Sequence, residues 1–533
     1  MTSLAGLGPL AKLAVRRDRG ILPAWLYILL ILVAGSAYSI KKVYPTAASR
    51  DQFAATVPHN PALLFMYGPV YGHSLGGITA WKPGVLTAVL AALMSVFLVI
   101  RHTRADEEAG RLELIGSTAV GRQAPLAASL LVALAASLVL AVLLTAALAA
   151  VGFPAAGSLG YALAVAGCGA AFAGVAAVAA QVAATARGAR GLAIAVAAAC
   201  YLLRAFGDSA GPGGPNWLGW LSPFGWAEQV RPYGGDRWWL LLPLAALAVV
   251  TLAAGWALSS ARDHGAGLLP QRPGRPQASR LLDGPEALAW RLQRGALAGW
   301  AVGFAALGLA SGASAKGVGS LIGGSEQLRH AIARLGGQTA LANAYLAAIM
   351  SIAGILAAAY ATATLLRLRS EETAELADPV LATGTGRIRW ALSHVGVAVL
   401  GTALLLACAG VCAGIGYGAR GGDLGGQVAS LLGAALAQMP AALAVAAVAV
   451  VAFGLRPGWS VACGWGALAV AGLLVLFGPA LSLSTWVLDI SPFTHLPKLP
   501  GEPVSAPPLA WLCVAALAMG VAGMAGLRRR DIA

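Results

Sequence analysis

Residues 124–152 read APLAASLLVALAASLVLAVLLTAALAAVG, without one charged side chain. A helix rises about 1.5 Å per residue, so this run reaches across a hydrocarbon core roughly 30 Å thick. Inside a bilayer a lone segment must satisfy its own backbone amides, which makes it helical. Similar runs lie near 21–40, 81–100, 158–184, 190–206 and 238–259, then near 296–315, 345–366, 391–417, 429–453, 459–480 and 508–527. The expected fold is an all-α polytopic membrane protein with about twelve transmembrane helices in two sets of six. Gly152-Phe153-Pro154 splits the runs at 124–152 and 158–184 and leaves room for broken helices there.

Composition points the same way. The 533 residues are 59% hydrophobic and only 11% charged, against roughly 25% charged in soluble domains, so the chain could not cover its own surface in water. Its 68 glycines suit close helix packing in lipid. The six cysteines (Cys168, Cys200, Cys408, Cys412, Cys463, Cys513) all lie in apolar runs. Cys408 and Cys412 share a helix face but have no His or carboxylate near them in sequence, so they read as packing residues and no metal site is expected. Arg16, Arg17 and Arg19 precede the first run as in a signal peptide, yet that run is long for one. Its counterpart at 296–315 sits mid-chain, and a retained helix is expected.

The net charge is +15. Lys and Arg are retained on the cytoplasmic side. With the N-terminus inside, the inner segments carry 24 of them and the outer segments 11, Arg204 within a span completing the 36. Both termini are then cytoplasmic, and the positive charge needs no nucleic acid to explain it.

The two sets of runs repeat. Arg101, Arg104, Glu107 and Glu108, ending at Gly121-Arg122, match Arg367, Arg369, Glu371 and Glu372, ending at Gly386-Arg387. Arg187-Gly188 matches Arg456-Pro457. Leu221-Ser222-Pro223-Phe224 matches Ile490-Ser491-Pro492-Phe493, and Arg262-Asp263 matches Arg530-Asp531. Each landmark falls on the same predicted side in both halves, so the repeat is parallel. The expected organisation is a first half at 1–267, a cytoplasmic linker at 268–285 rich in Pro and Arg, and a second half at 286–533.

The segment at 101–122 carries Arg101, Arg104, Glu107, Glu108, Arg111, Glu113 and Arg122. Arg104–Glu108 and Glu107–Arg111 are four apart, the spacing at which opposite charges meet on a helix. A short surface helix is predicted, with Leu112, Leu114 and Ile115 as its apolar side. The segment at 367–390 repeats the pattern with Arg367–Glu371, and Pro379 is expected to break its helix. A solvated loop would explain either alone. It has no reason to keep paired acids at one place in both halves; a docking helix has one.

Arg101-x-x-Arg104-x-x-Glu107-Glu108-x-Gly110-Arg111-x-Glu113-Leu114, followed by Gly121-Arg122, resembles the intracellular coupling helix of ABC exporter permeases of the type-2 class. It is most similar to the actinobacterial "exporter of polyketide antibiotics" and multidrug efflux permeases, whose two halves are fused. Ser370-Glu371-Glu372, Pro379-Val380-Leu381, Thr383-Gly384, Arg387 and Trp390 resemble that family's second-half motif. Ser222, Pro223, Phe224 and Trp226, with Ser491, Pro492 and Phe493, resemble its outer-face motifs.

The resemblance spans essentially the whole chain. It implies two coupling helices seated in clefts of a homodimer of a cytoplasmic ABC ATPase, which holds ATP and Mg while this chain carries no cofactor. Arg101, Arg104, Glu107, Glu108, Arg111, Glu113 and Arg122 would make the first contact, and Glu371, Glu372, Glu375 and Arg387 the second. The second copy lacks the Gly-Arg after its acidic pair, having Thr373-Ala374-Glu375 instead, which leaves the equivalence of the two helices open. No GxxxxGK[ST] phosphate loop occurs, so the motor must be a separate subunit, and no catalytic residue is assigned.

Polar groups predicted within the membrane are Gln181, Arg204, Asn343 and Gln438, each expected to bond neighbouring backbone, with Arg204 snorkelling to the outer interface. No intramembrane Asp, Glu or His of the kind a proton-coupled transporter needs is evident. The Ser-Pro-Phe segments, with Trp217, Trp220, Trp226, Tyr233, Trp238 and Trp239, read as an interfacial aromatic belt beside a Pro-stopped helix, an outer gate lip being the functional alternative. The expected function is therefore the permease of an ATP-driven exporter in a bacterial plasma membrane, moving hydrophobic or amphipathic small molecules by alternating access. A proton-coupled secondary transporter of the six-plus-six type is the alternative.

Overall fold

The computed structural model describes residues 3–59, 61–209, 215–262, 265–269, 277, 282–315, 337–419, 423–477 and 484–530. Among them there is no β-strand, and twelve helices are long and apolar enough to cross a bilayer. The chain divides into two compact units, Met1–Gly274 and Arg275–Ala533. Most of the segment read as a linker, including Pro270, Pro273 and Pro276, lies outside the described residues, as do Asp263 and Asp531.

In the first unit an amphipathic helix α1 (Leu7–Arg17) precedes α2 (Ile21–Val43). The long helix α3 (Leu75–His102) is followed by two short helices, α4 (Arg104–Glu108) and α5 (Arg111–Gly116). Then come α6 (Ala124–Ala150), α7 (Ala155–Val182) and α8 (Ala186–Ser209). A short helix α9 (Pro223–Gln229) leads to α10 (Leu241–Ala261). The α2 helix buries Leu29, Val33, Ala37 and Ile40, a three-to-four-residue stripe on one helix face, and packs against α3. The α6 and α7 helices are each continuous, so Gly152-Phe153-Pro154 makes a tight turn between whole helices rather than marking broken ones.

The second unit runs α11 (Pro285–Ala315), α12 (Gly337–Leu365), α13 (Arg367–Thr373), α14 (Asp378–Leu381) and α15 (Arg387–Gly418). It continues with α16 (Leu424–Leu436), α17 (Met439–Leu455), α18 (Ser460–Phe477) and α19 (Ala506–Arg529). The α11 helix starts eleven residues before the predicted apolar run, because Arg291 and Arg294 kept its first turns out of a hydropathy window. The broken span is α16–α17, interrupted at 437–438 just before Pro440. Gly308 and Gly312 of α11 lie against α15, where a Cβ on either would run into the carbonyl oxygens of Ala409 and Ala413. Small residues one turn apart let two backbones meet in this way.

Candidate coupling sites

In the first unit, the α3 helix ends at Thr103, whose hydroxyl donates to the Val99 carbonyl at 2.6 Å. The next turns do not form one surface helix. Gly110 takes a left-handed conformation, φ +69°, and divides α4 from α5, a geometry glycine adopts without a Cβ clash. That break separates Glu107 from Arg111, and the predicted Arg104–Glu108 pair, though within α4, does not form either. Arg104 instead donates to Glu107 at 2.9 Å and to the carbonyls of Ala184 and Ala266. Arg111 turns to Asp106 at 2.7 Å, and Glu108 accepts the backbone N–H of Ala186 at 3.0 Å, capping α8.

Glu107 is the hub. Arg262, just past α10, grips its two carboxylate oxygens at 2.8 and 2.7 Å, and the N–H of Gly265 donates to it as well. A forked guanidinium on a carboxylate is among the stronger polar contacts available to a protein. Arg122 in turn donates to the carbonyl of Arg262 at 2.6 Å, and the Gln181 side chain accepts from Arg262 Nε. A second layer lies beneath. Arg17 at the end of α1 clasps Asp106, and Asp18, wholly buried, faces both Arg101 and His102. The hydrogen bond to Asp106, with the attraction of that carboxylate, raises the Arg17 pKa above its usual value.

The second unit repeats the clasp. Arg530, just past α19, grips Glu372 at 2.5 and 3.0 Å, and Arg387 donates to the carbonyl of Arg530 at 2.8 Å. The Arg530 guanidinium also lies over the Phe453 ring at 4.7 Å. Glu371 is held from the side by Arg367 at 2.8 Å, His394 at 3.2 Å and the Trp390 indole N–H at 3.3 Å. The predicted Arg367–Glu371 pair is present. The helix ends at Thr373, well before Pro379, and Glu375 just beyond it has φ +55° and occupies the left-handed position that Gly110 fills in the first unit; Pro379 lies in the first turn of α14 instead.

The residues singled out from sequence thus separate into two groups. Arg104, Glu107, Glu371 and Glu372 are turned inward and hold each segment to its own unit. Arg111, Glu113, Arg122, Glu375 and Arg387 lie at the surface, beside Leu114 and Leu376, which are 75% and 60% exposed. Glu108 is exposed although its carboxylate caps α8, and Arg101 is half-buried. Sequence reading passed over Asp18, His102 and Asp106. Asp18 is the one acid in Arg16-Arg17-Asp18-Arg19, which was a usable signal.

At the opposite end of the first unit, Ser222 accepts the N–H of Phe224 at 3.2 Å and caps α9. Pro223 therefore starts a helix instead of stopping one. Phe224 is buried and stacks on Phe172 at 5.2 Å, so it is core rather than belt, while the Trp226 indole donates to the carbonyl of Trp220. In the second unit Ser491 donates to the Ala471 carbonyl, Pro492 opens a single 3-10 turn and Phe493 is buried. Arg204 does not snorkel. It is wholly buried and shared among Asp208 at 3.3 Å, Glu228 at 3.8 Å and the Met66 carbonyl. Helix α9 folds back into the bundle and brings Glu228 in, which makes charge pairing cheaper than the reach to water.

The family model for "Multidrug efflux system permease Rv1217c, C-terminal domain" matches residues 8–258 and 282–528. The multidrug efflux system permease protein Rv1217c of Mycobacterium tuberculosis is 41% identical over 526 residues, covering 98% of this chain and 94% of that protein. With its twelve apolar spans, the chain is a multi-pass protein of the bacterial plasma membrane. It belongs to the multidrug efflux system permease family.

Proposed function

We propose that the chain is the membrane subunit of an ATP-driven exporter, worked by two copies of a separate cytoplasmic ATPase that binds ATP and Mg. The observation that carries this reading is the recurrence of one mechanical link. In each unit an arginine just past the last span grips a glutamate of the short segment after the second span, and a second arginine ties the start of the third span to that link. A push on the exposed tip is then delivered to three spans at once. The tips, at Glu113-Leu114 and Glu375-Leu376, would seat in the ATPase clefts with both termini on the same, cytoplasmic side. Closure of the ATPase pair would switch each pathway between inward and outward access. Cargo would be amphipathic or apolar compounds.

Reconstitution in liposomes with the separately encoded ATPase tests the proposal. Vanadate-sensitive dye transport is expected, and Leu114→Glu should abolish it while leaving the purified permease folded. The buried carboxylate of Glu228 gives the alternative of proton-coupled transport a foothold. Uptake by the chain alone, driven by a proton gradient, would establish that alternative and overturn the first reading.

A further inference from the structure

The end of the first unit opposite the coupling segment holds a cavity of about 50 Å³. A water needs roughly 10–15 Å³ on this measure, so the space takes a few waters or one small head group. Its walls come from α3, α7, α9 and the 67–72 stretch, and include five aromatic rings, Tyr67, Tyr71, Trp81, Tyr161 and Phe224. The acid on the wall is Glu228. Its side chain is 9% exposed, no N–H of the described residues reaches either carboxylate oxygen, and the group beside it is the Asp208 carboxyl, with which it can share a proton. Among the described residues the cation paired with it is Arg204, which lies 3.8 Å away and is closer to Asp208. One guanidinium thus serves two adjoining acids, and of the two Glu228 is the one farther from it.

Stranding a buried carboxylate in this way is costly. Burial and the nearby Asp208 push the Glu228 carboxyl well above the usual carboxylate range, which favours its protonated form. The other charge on the wall, Arg231, is drawn aside: it donates to Gln229 at 3.1 Å and lies 4.1 Å over the Tyr71 ring. Aromatic faces attract cations, and more strongly where water is excluded. Together with an under-neutralised acid they make a receptor for positive charge.

We propose that this cavity binds the ammonium group of an amphipathic organic cation, with Glu228 as its counter-ion. The ligand's ammonium displaces the proton on Glu228 to water, and the alkyl portion lies toward the apolar bundle. This rests on the permease reading and deepens it by assigning a class of cargo to the first unit.

The test is equilibrium binding to the purified chain in nanodiscs without any ATPase, using octylammonium and, as the neutral control, 1-octanol. Octylammonium should bind more tightly than 1-octanol. Glu228→Gln should weaken octylammonium at least tenfold and leave 1-octanol unchanged, while Glu228→Asp retains binding. Arg231→Gln, which removes the opposing charge, should tighten octylammonium, and it carries the test should Glu228→Gln fail to fold. Octylammonium affinity within twofold of wild type in Glu228→Gln, or no gain in Arg231→Gln, overturns the proposal. With no motor present, such a failure leaves the ATP-driven reading standing, and loss of ATP coupling in liposomes would leave this binding intact.

Discussion

The two short segments after the second spans are alike where they meet the last span and unlike everywhere else. Arg262 on Glu107 and Arg530 on Glu372 superpose as chemistry, down to the second arginine that donates to the backbone carbonyl of the gripping one. Their side braces differ. In the first unit the brace is the N-terminal helix, through Arg17 and the buried Asp18–His102 pair. In the second it is the third span itself, through Trp390 and His394, with Gln293 of α11 behind the imidazole at 3.0 Å. The grip is therefore the part both units need for the same task. The braces are local solutions to holding it still.

The largest expected effect breaks the grip. Glu107→Gln leaves Arg104 and Arg262, both largely buried, facing one neutral amide. Removing one partner of a buried pair costs about 3–5 kcal/mol; Arg262 is 13% exposed, so the lower end of that range applies. The purified protein should melt at a lower temperature and lose transport. Glu372→Gln should cost less, because Arg530 keeps its position over the Phe453 ring. If thermal unfolding ranks these two variants the other way, the idea that the grip matters more in the first unit is wrong.

A middle-sized effect separates the braces. Arg17→Ala removes two charge-assisted hydrogen bonds to Asp106, each worth about 1.5–3 kcal/mol when shielded and less here, since the Arg17 side chain is 28% exposed. Amide exchange in α4 and α5 should accelerate several-fold while α13 and α14 stay as they were. Equal acceleration in both units would mean that the brace is not local.

Much of this was open to a reader of the sequence, and the failures share a cause. Spans were legible because bilayer thickness imposes one length on them all. The recurring Arg262 and Arg530 were visible as landmarks, but what they grip depends on helix ends, which hydropathy does not locate. Pairing Glu107 with Arg111 assumed an unbroken helix across Gly110, and the left-handed φ there redirects Arg111 to Asp106; Arg104, within α4, turns to Glu107 and to backbone carbonyls instead of Glu108. Residues 216–237 read as an outer loop because Glu228, Arg231 and Asp236 dilute their hydropathy. Ser222 as a cap with Pro223 at the first helical position is a helix-start signal, and it turns that loop back into the bundle. Arg204 was misread for the same reason, since its partners arrive from a segment assigned to water.

The smallest effect sharpens the comparison most. Gly110 and Glu375 hold the same left-handed turn between two short helices, yet one has no Cβ and the other has a full side chain. Such a conformation costs an L-residue roughly 1–2 kcal/mol, while glycine gives back about 0.5–1 kcal/mol through the freedom of its unfolded chain. Glu375→Gly should therefore stabilise the protein by at most about 1.5 kcal/mol, read as a small rise in unfolding midpoint. Glu375 is exposed, so the strain buries no side chain, and its charge is left for a partner on the second tip. Transport with the ATPase should then fall even as stability rises. A variant that is more stable and equally active would show that the second tip does not use its charge, and that the two segments differ by backbone history alone.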